Sequence, residues 1–201
     1  MGRTSDSKER MMQAGRDLFW KQSYGSVTID AICAEARVLK GSFYHFFDSK
    51  SELTQASFDE LWKHVQPQLD EIFSRQVPPL ERLRNYFTFV QRRQAELKKK
   101  YGRVVGCLFG SVGSELSHQD EAICAKSREI LACHRKYFET ALRDAQEEGS
   151  IEIRNVPLLA QRLSAYVEGC LFQARVQNEL GLLRDLEAGA MELIGAGLVP
   201  A

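Results

Sequence analysis

No stretch of this 201-residue chain approaches the roughly 20 consecutive apolar residues that a bilayer crossing needs. The amino terminus is polar and lacks the apolar centre of a secretory signal, so a cytoplasmic location with no membrane partner is expected. Strands are also wanting: Ile151-Glu152-Ile153 has the residue types but is too short to build a sheet. Net charge is zero, with 27 basic and 27 acidic residues, which rules out a polycation that coats nucleic acid indiscriminately. The five cysteines (Cys33, Cys107, Cys124, Cys133, Cys170) are widely spaced and include no Cys-x-x-Cys pair. They read as reduced thiols, not as a disulfide framework or a zinc site. His45, His64, His118 and His134 lack metal-ligand spacing, so no metal is expected. Gly106, Gly110 and Gly113 follow no strand and miss the dinucleotide spacing, and no phosphate loop occurs. With no nucleophile–base constellation either, neither an enzyme nor a cofactor is expected.

What the sequence has in quantity is helical periodicity. Met11, Ala14 and Leu18, with Gly15 and Phe19, mark one face of a first helix, and Asp6 with Glu9 reads as an acidic capping box at its start. The turn residues Ser23-Tyr24-Gly25-Ser26 follow. Thr28 is placed to cap a second helix with Ile29, Ile32, Cys33 and Ala36 on its apolar face. A brief helix over 40–47 comes next. A long helix capped by Asp48 or Ser49 then repeats Leu53, Phe58, Leu61, Trp62, Val65 and Leu69. Pro78-Pro79 open a fifth helix carrying Leu83, Phe87 and Val90, and further helices are expected near 119–148, 157–178 and 183–196. The fold class is therefore all-α with about nine helices, divided into residues 1–48 and 49–201.

Two short helices joined by a three- or four-residue turn and packed on a preceding helix make a helix-turn-helix. On the second of them Phe43, Phe46 and Phe47 can face inward while Lys40, Gly41, Ser42, Tyr44 and His45 face outward. Lysine neutralises phosphate, hydroxyl and imidazole groups donate to it, and glycine permits close backbone approach. From these residues alone, a DNA-reading face and a plain solvated face stand equal. The first fifty residues carry eight basic and six acidic side chains, too small an excess to decide.

The run Leu18-Phe19, Tyr24, Thr28, Ile32, Ala36, Val38, Lys40-Gly41-Ser42-Phe43-Tyr44-His45-Phe46-Phe47 and Ser49-Lys50 resembles the amino-terminal domain of the TetR family of bacterial regulators, over about 40 residues without insertion. The resemblance implies a three-helix DNA-binding head followed by a helical ligand-binding and dimerisation domain. It places Thr28 on a phosphate and Lys40, Ser42, Tyr44 and His45 at the major groove, with Lys50 on a further phosphate at a helix start. Arg37 stands where the family has a turn glycine, and Leu39 where it has serine. Arg37 either adopts a backbone conformation unfavourable to a side-chain-bearing residue or alters the turn, and it is a further candidate phosphate contact. Leu39 gives up a helix cap and suits a thymine methyl.

For the remaining two-thirds the resemblance implies an effector pocket and a dimer interface. Candidate pocket residues are Tyr86, Phe87, Val90, Cys107 and Phe109, then His134, Tyr137 and Phe138, and finally Tyr166, Cys170 and Phe172. Plain core packing is the competing reading for most of them, and an aromatic lining favours a hydrophobic effector. Cys107 is also a candidate sensor of electrophiles, with Lys100, Arg103 or a helix start as causes of a lowered pKa. Inert burial is the commoner fate of such a residue. Leu158, Ala165, Gly169 and Phe172 on the penultimate helix, with Leu186, Ala190, Leu193 and Gly197 on the last, suit close helix packing between two subunits. The expected function is a ligand-responsive repressor that binds a near-palindromic double-stranded operator as a homodimer and is released by a small hydrophobic or electrophilic effector. An interaction module that no longer reads DNA is the alternative, supported by Arg37 and Leu39 alone.

Overall fold

A computed structural model describes residues 2–196, with side chains from residue 6 onward; Gly197 lies outside the described residues. Ten helices and no strand occur among them. Their order is α1 (Gly2–Lys21), α2 (Ile29–Ala36), α3 (Lys40–Phe46), α4 (Lys50–Ile72), α5 (Pro79–Tyr101), α6 (Leu108–Glu115), α7 (Glu121–Glu147), α8 (Val156–Gln177), α9 (Gly181–Arg184) and α10 (Leu186–Leu193). The chain forms two compact units. One takes residues up to His64 together with Leu108–Ile130; the other takes Val65–Cys107 together with Leu131 onward. The division expected at residue 48 falls between α3 and α4, whereas the unit boundaries fall inside the long helices α4 and α7 and at the start of α6.

In the first unit, α1 packs on α2, α3 and α6. Met11, Phe19, Ile32, Phe43, Leu53, Phe58 and Ile123 are fully buried there, each stabilising the unit by roughly 1.5–3 kcal/mol relative to exposure. Arg16 is buried as well. Its guanidinium donates to the Ser57 carbonyl at 3.4 Å and to Gln13 Oε1 at 2.7 Å, which satisfies the charge inside the α1–α4 contact. The helix starts are set by local chemistry. Ser49 Oγ accepts from the Glu52 N–H at 3.1 Å while the Glu52 carboxylate accepts from the Asp48 N–H at 2.6 Å, a reciprocal cap for α4. The cap expected at Asp6 does not form: α1 already begins at Gly2, and Asp6 instead pairs with Arg10 one turn on, at 3.3 Å.

In the second unit, α8 packs on α9 and α10, and α10 packs on α5. Asn155 caps α8 by accepting from the Leu158 N–H at 3.0 Å. Asn178 closes the same helix in the left-handed region, φ 56°. It then ties α8 to the end of α5, accepting from the Val104 N–H at 2.9 Å through its side chain and from Lys98 Nζ at 2.8 Å through its carbonyl. The single last helix expected over 183–196 is two, α9 and α10, broken at Asp185.

Candidate DNA-reading surface and effector region

Thr28 caps α2 from an extended backbone (φ −95°, ψ 160°), its hydroxyl accepting from the Ala31 N–H at 3.1 Å. Arg37 ends α2 at φ 54°, ψ 49°, the left-handed conformation that glycine adopts without cost and that burdens a residue bearing Cβ. The turn therefore keeps its shape, and Arg37 carries the strain. Its N–H bonds the Ala34 carbonyl at 3.1 Å and the Val38 N–H bonds the Cys33 carbonyl at 3.0 Å, which closes the helix.

Leu39 enters α3 in extended conformation with no side-chain cap, and its side chain is 81% exposed. Within α3, Phe43 is completely buried and stacks edge-on against Tyr44 at 5.4 Å. Lys40, Gly41, Tyr44 and His45 are exposed and Ser42 half-buried, so the outward set has the arrangement that the heptapeptide's spacing indicates. Lys40 reaches back to Asp30 on α2, Nζ to carboxylate 2.8 Å. That bond raises the lysine pKa and keeps its charge on the α2–α3 surface. Of the other two expected inward, Phe47, just beyond α3, is buried, whereas Phe46 is half-buried.

Lys50 stands at the start of α4 beside the α1–α2 turn. Its ammonium donates to the carbonyls of Tyr24 at 2.9 Å and Val27 at 2.7 Å, and lies 3.9 Å from the centre of the Tyr24 ring. Partial burial lowers its pKa. Sequence reading missed Glu115, whose carboxylate binds the same turn through the backbone N–H groups of Tyr24 and Gly25. An acid at the end of a short helix gives no signal in sequence of a partner some ninety residues away.

In the second unit the aromatic candidates form a cluster. Tyr86 meets Phe138 edge-on at 5.0 Å and Phe87 at 5.7 Å. Phe73, not foreseen, joins them at 5.7 Å from Tyr86 and 5.1 Å from Tyr137. It follows Leu69 by one turn and closes the apolar face of α4, which is the signal that could have found it. Tyr137 donates to Asp70. Phe87, Val90 and Phe138 are buried and His134 is half-buried, its pKa pushed down to about 4 by burial.

Cys107 stands directly before α6, with the Glu168 carboxyl on α8 as a hydrogen-bond partner. Burial raises the Glu168 pKa, and the thiol bond opposes that rise. Tyr86 is pushed up by its own burial and then by Glu168 and Cys107.

The other pocket and interface candidates lie apart from this aromatic cluster. Phe109 lies in the first unit, edge-on against Phe58 at 5.1 Å. Phe172 is 64% exposed on the outer face of α8. Tyr166 lies over Gly189 of α10, so closely that a Cβ there would overlap its hydroxyl; Cys170 is its half-buried hydrogen-bond partner. Leu186 and Ala190 are completely buried within their own chain, because α10 turns that face onto α5 and α8. Leu158, Ala165, Gly169 and Leu193 are exposed. A cleft of about 660 Å³ occurs elsewhere in this unit, lined by Arg75, Pro78, Arg82, Asp144 and Glu148 among others, and by none of the expected pocket residues. Its Arg82 is buried and paired with Asp144, which makes it part of the scaffold at the α4–α5 connection.

Comparison with known proteins agrees with this geometry. Residues 11–56 match the bacterial regulatory proteins of the tetR family, and residues 79–188 match the tetracyclin repressor-like C-terminal domain. The HTH-type transcriptional repressor DhaR of Mycobacterium sp. (strain GP1) is 29% identical over 176 residues, covering 85% of this chain and 83% of DhaR. A crystal structure of the regulatory protein TetR from Rhodobacter sphaeroides superposes with a TM-score of 0.80 at 26% identity, covering 92% of this chain and 97% of that one. The reduced form of Escherichia coli NemR shares the fold, TM-score 0.79 at 23% identity, covering 94% of this chain and 98% of NemR. No helix among the described residues is long and apolar enough to cross a membrane. With a buried aromatic core under an outward polar α3, and both domain types matched along its length, the chain belongs to the TetR family of transcriptional regulators and is not an enzyme.

Proposed function

We propose that this chain is a homodimeric repressor that grips a near-palindromic operator through α3 and lets go when a small hydrophobic or electrophilic effector enters the second unit. The carrying observation is where large apolar side chains are left exposed. Among the described residues they fall on two surfaces only: Leu39 and Tyr44 at the head, and Leu158, Phe172, Val176, Leu182 and Leu193 along α8–α10. Contiguous exposed apolar residues mark interaction surfaces. The α8 face repeats at helical spacing through Leu158, Ala165, Gly169, Phe172 and Val176, and its small residues permit another helix to approach closely. A second copy of the chain is the occupant that turns one reading head into two, and two heads read half-sites about one helical turn apart.

At the head, Lys40, Ser42, Tyr44 and His45 supply the phosphate and base contacts, Thr28 and Arg37 flank them, and Gly41 admits the backbone. The effector acts through differential affinity: it favours the dimer whose heads are wrongly spaced, and DNA affinity falls by the same coupling factor. Tyr86, Phe87, Val90, Tyr137 and Phe138 favour an apolar or aromatic effector, and Cys107 admits a thiol-reactive one. The test is operator release by a panel of aromatic compounds and electrophiles, run on wild type and Cys107→Ser. Release by aromatic compounds in both proteins assigns a non-covalent effector; loss of all electrophile response in Cys107→Ser assigns the thiol. A panel that leaves the complex intact in both proteins contradicts the effector class.

A further inference from the structure

The turn between α1 and α2 is gripped from two sides by charged side chains whose bonds run to its backbone. Glu115, the last residue of α6, accepts from the Tyr24 N–H at 2.9 Å through one carboxylate oxygen and from the Gly25 N–H at 2.8 Å through the other. A Cβ on Gly25 would stand 3.3 Å from that second oxygen, so the carboxylate lies hard against the peptide. Lys50, the first residue of α4, takes the turn's carbonyls at Tyr24 and Val27. The Tyr24 carbonyl also accepts from the Val27 N–H at 3.1 Å, and Thr28, the cap of α2, comes next in the chain. Hydrogen bonds to charged groups are shorter and stronger than neutral ones, and a bidentate pair fixes orientation as well as distance.

We propose that Glu115, working opposite Lys50, is a positioning residue for operator recognition: it fixes the turn from which α2 starts, and with it the pose of the α2–α3 pair, without touching DNA itself. The inference rests on the reading of α3 as the operator-contacting helix, and it assigns α6 a specific hold on that head. Its sign is opposite to that of simple electrostatics. Removing a carboxylate from a DNA-binding unit lowers its repulsion from phosphate and by charge alone strengthens binding. Removing a clamp weakens binding, because the turn must then be ordered when DNA is bound.

The test uses the full chain and a duplex selected by wild type from a random pool, comparing wild type, Glu115→Gln and Tyr44→Ala. The glutamine side chain keeps one acceptor for two N–H groups and turns its amide donors toward the other. The clamp predicts that Glu115→Gln loses amide-exchange protection at Tyr24 and Gly25 while α1 and α3 keep theirs. It also predicts that operator affinity falls about tenfold, ~1.4 kcal/mol, with an unchanged salt slope, since no phosphate contact is removed. Affinity equal to or above wild type in Glu115→Gln overturns the clamp while leaving the reading head standing, provided Tyr44→Ala has lost binding. Full affinity in Tyr44→Ala overturns both. Should Glu115→Gln fail to fold, wild type alone decides: Tyr24 and Gly25 amides that exchange as fast as free turn amides contradict the hold.

Discussion

Arg37 occupies the left-handed region at φ 54°, a conformation that disfavours every residue but glycine and, more mildly, asparagine and aspartate. Strain of this kind persists where the surroundings impose it, and it gathers at functional sites. Arg37→Gly is therefore expected to raise stability by about 1 kcal/mol, a few degrees in Tm, and at the same time to weaken operator binding and reduce the salt slope by about one. Thermal unfolding alongside a salt titration checks both halves; a variant that gains stability and keeps its full salt slope shows that the arginine touches no phosphate. His134 gives a pH signature. Its folded pKa near 4 lies below the ordinary histidine value of 6.5, so the unfolded chain takes up the proton first. Stability from this site is complete above about pH 6.5 and is lost as pH falls toward 4, by at most about 3 kcal/mol. Denaturant unfolding of wild type and His134→Gln from pH 7 to pH 4 reads the difference, and parallel curves contradict the assignment.

At the scale of elements, the head was legible in sequence because its information is local. Thr28 caps α2, Phe43 faces the core and Tyr44 faces out through spacings of a few residues, and all three are where the pattern puts them. The second unit was legible in helix positions but not in helix faces. Leu186, Ala190 and Leu193 share a heptad-like spacing, yet the first two are buried in their own chain and the third is exposed. Hydrophobic spacing states that a residue wants a neighbour, not whether that neighbour belongs to the same subunit. Phe109, buried against Phe58, and Phe172, exposed on α8, show the same ambiguity, and Glu115 and Glu168 were invisible because their partners are far away in sequence. The structure gives α8 and α10 separable tests. Phe172→Glu places a charge on the exposed α8 face and is expected to yield folded, helical monomers with operator binding lost. Leu186→Ala opens a cavity in the chain's own core and is expected to cost about 2–5 kcal/mol of folding stability. Sedimentation and denaturant unfolding separate the two; a Phe172→Glu dimer as stable as wild type removes α8 from the interface.

For the whole molecule, a neutral chain binds a polyanion only through placement of its charges. Lys40 is held on the α2–α3 surface by Asp30, Arg37 is exposed at the turn before it, and the polar side chains of α3 complete the small surface proposed to meet DNA. On the proposed dimer, affinity depends on counterion release at two such surfaces held in fixed register. The most direct measurement is operator affinity across a salt series for wild type, Lys40→Ala and Tyr44→Ala, each first shown by sedimentation and thermal unfolding to be a folded dimer. The account predicts steeply salt-dependent, palindrome-dependent binding by wild type and its loss in both variants. Undiminished affinity in both variants, or wild-type binding that ignores salt, contradicts the assignment of α3 as the reading head.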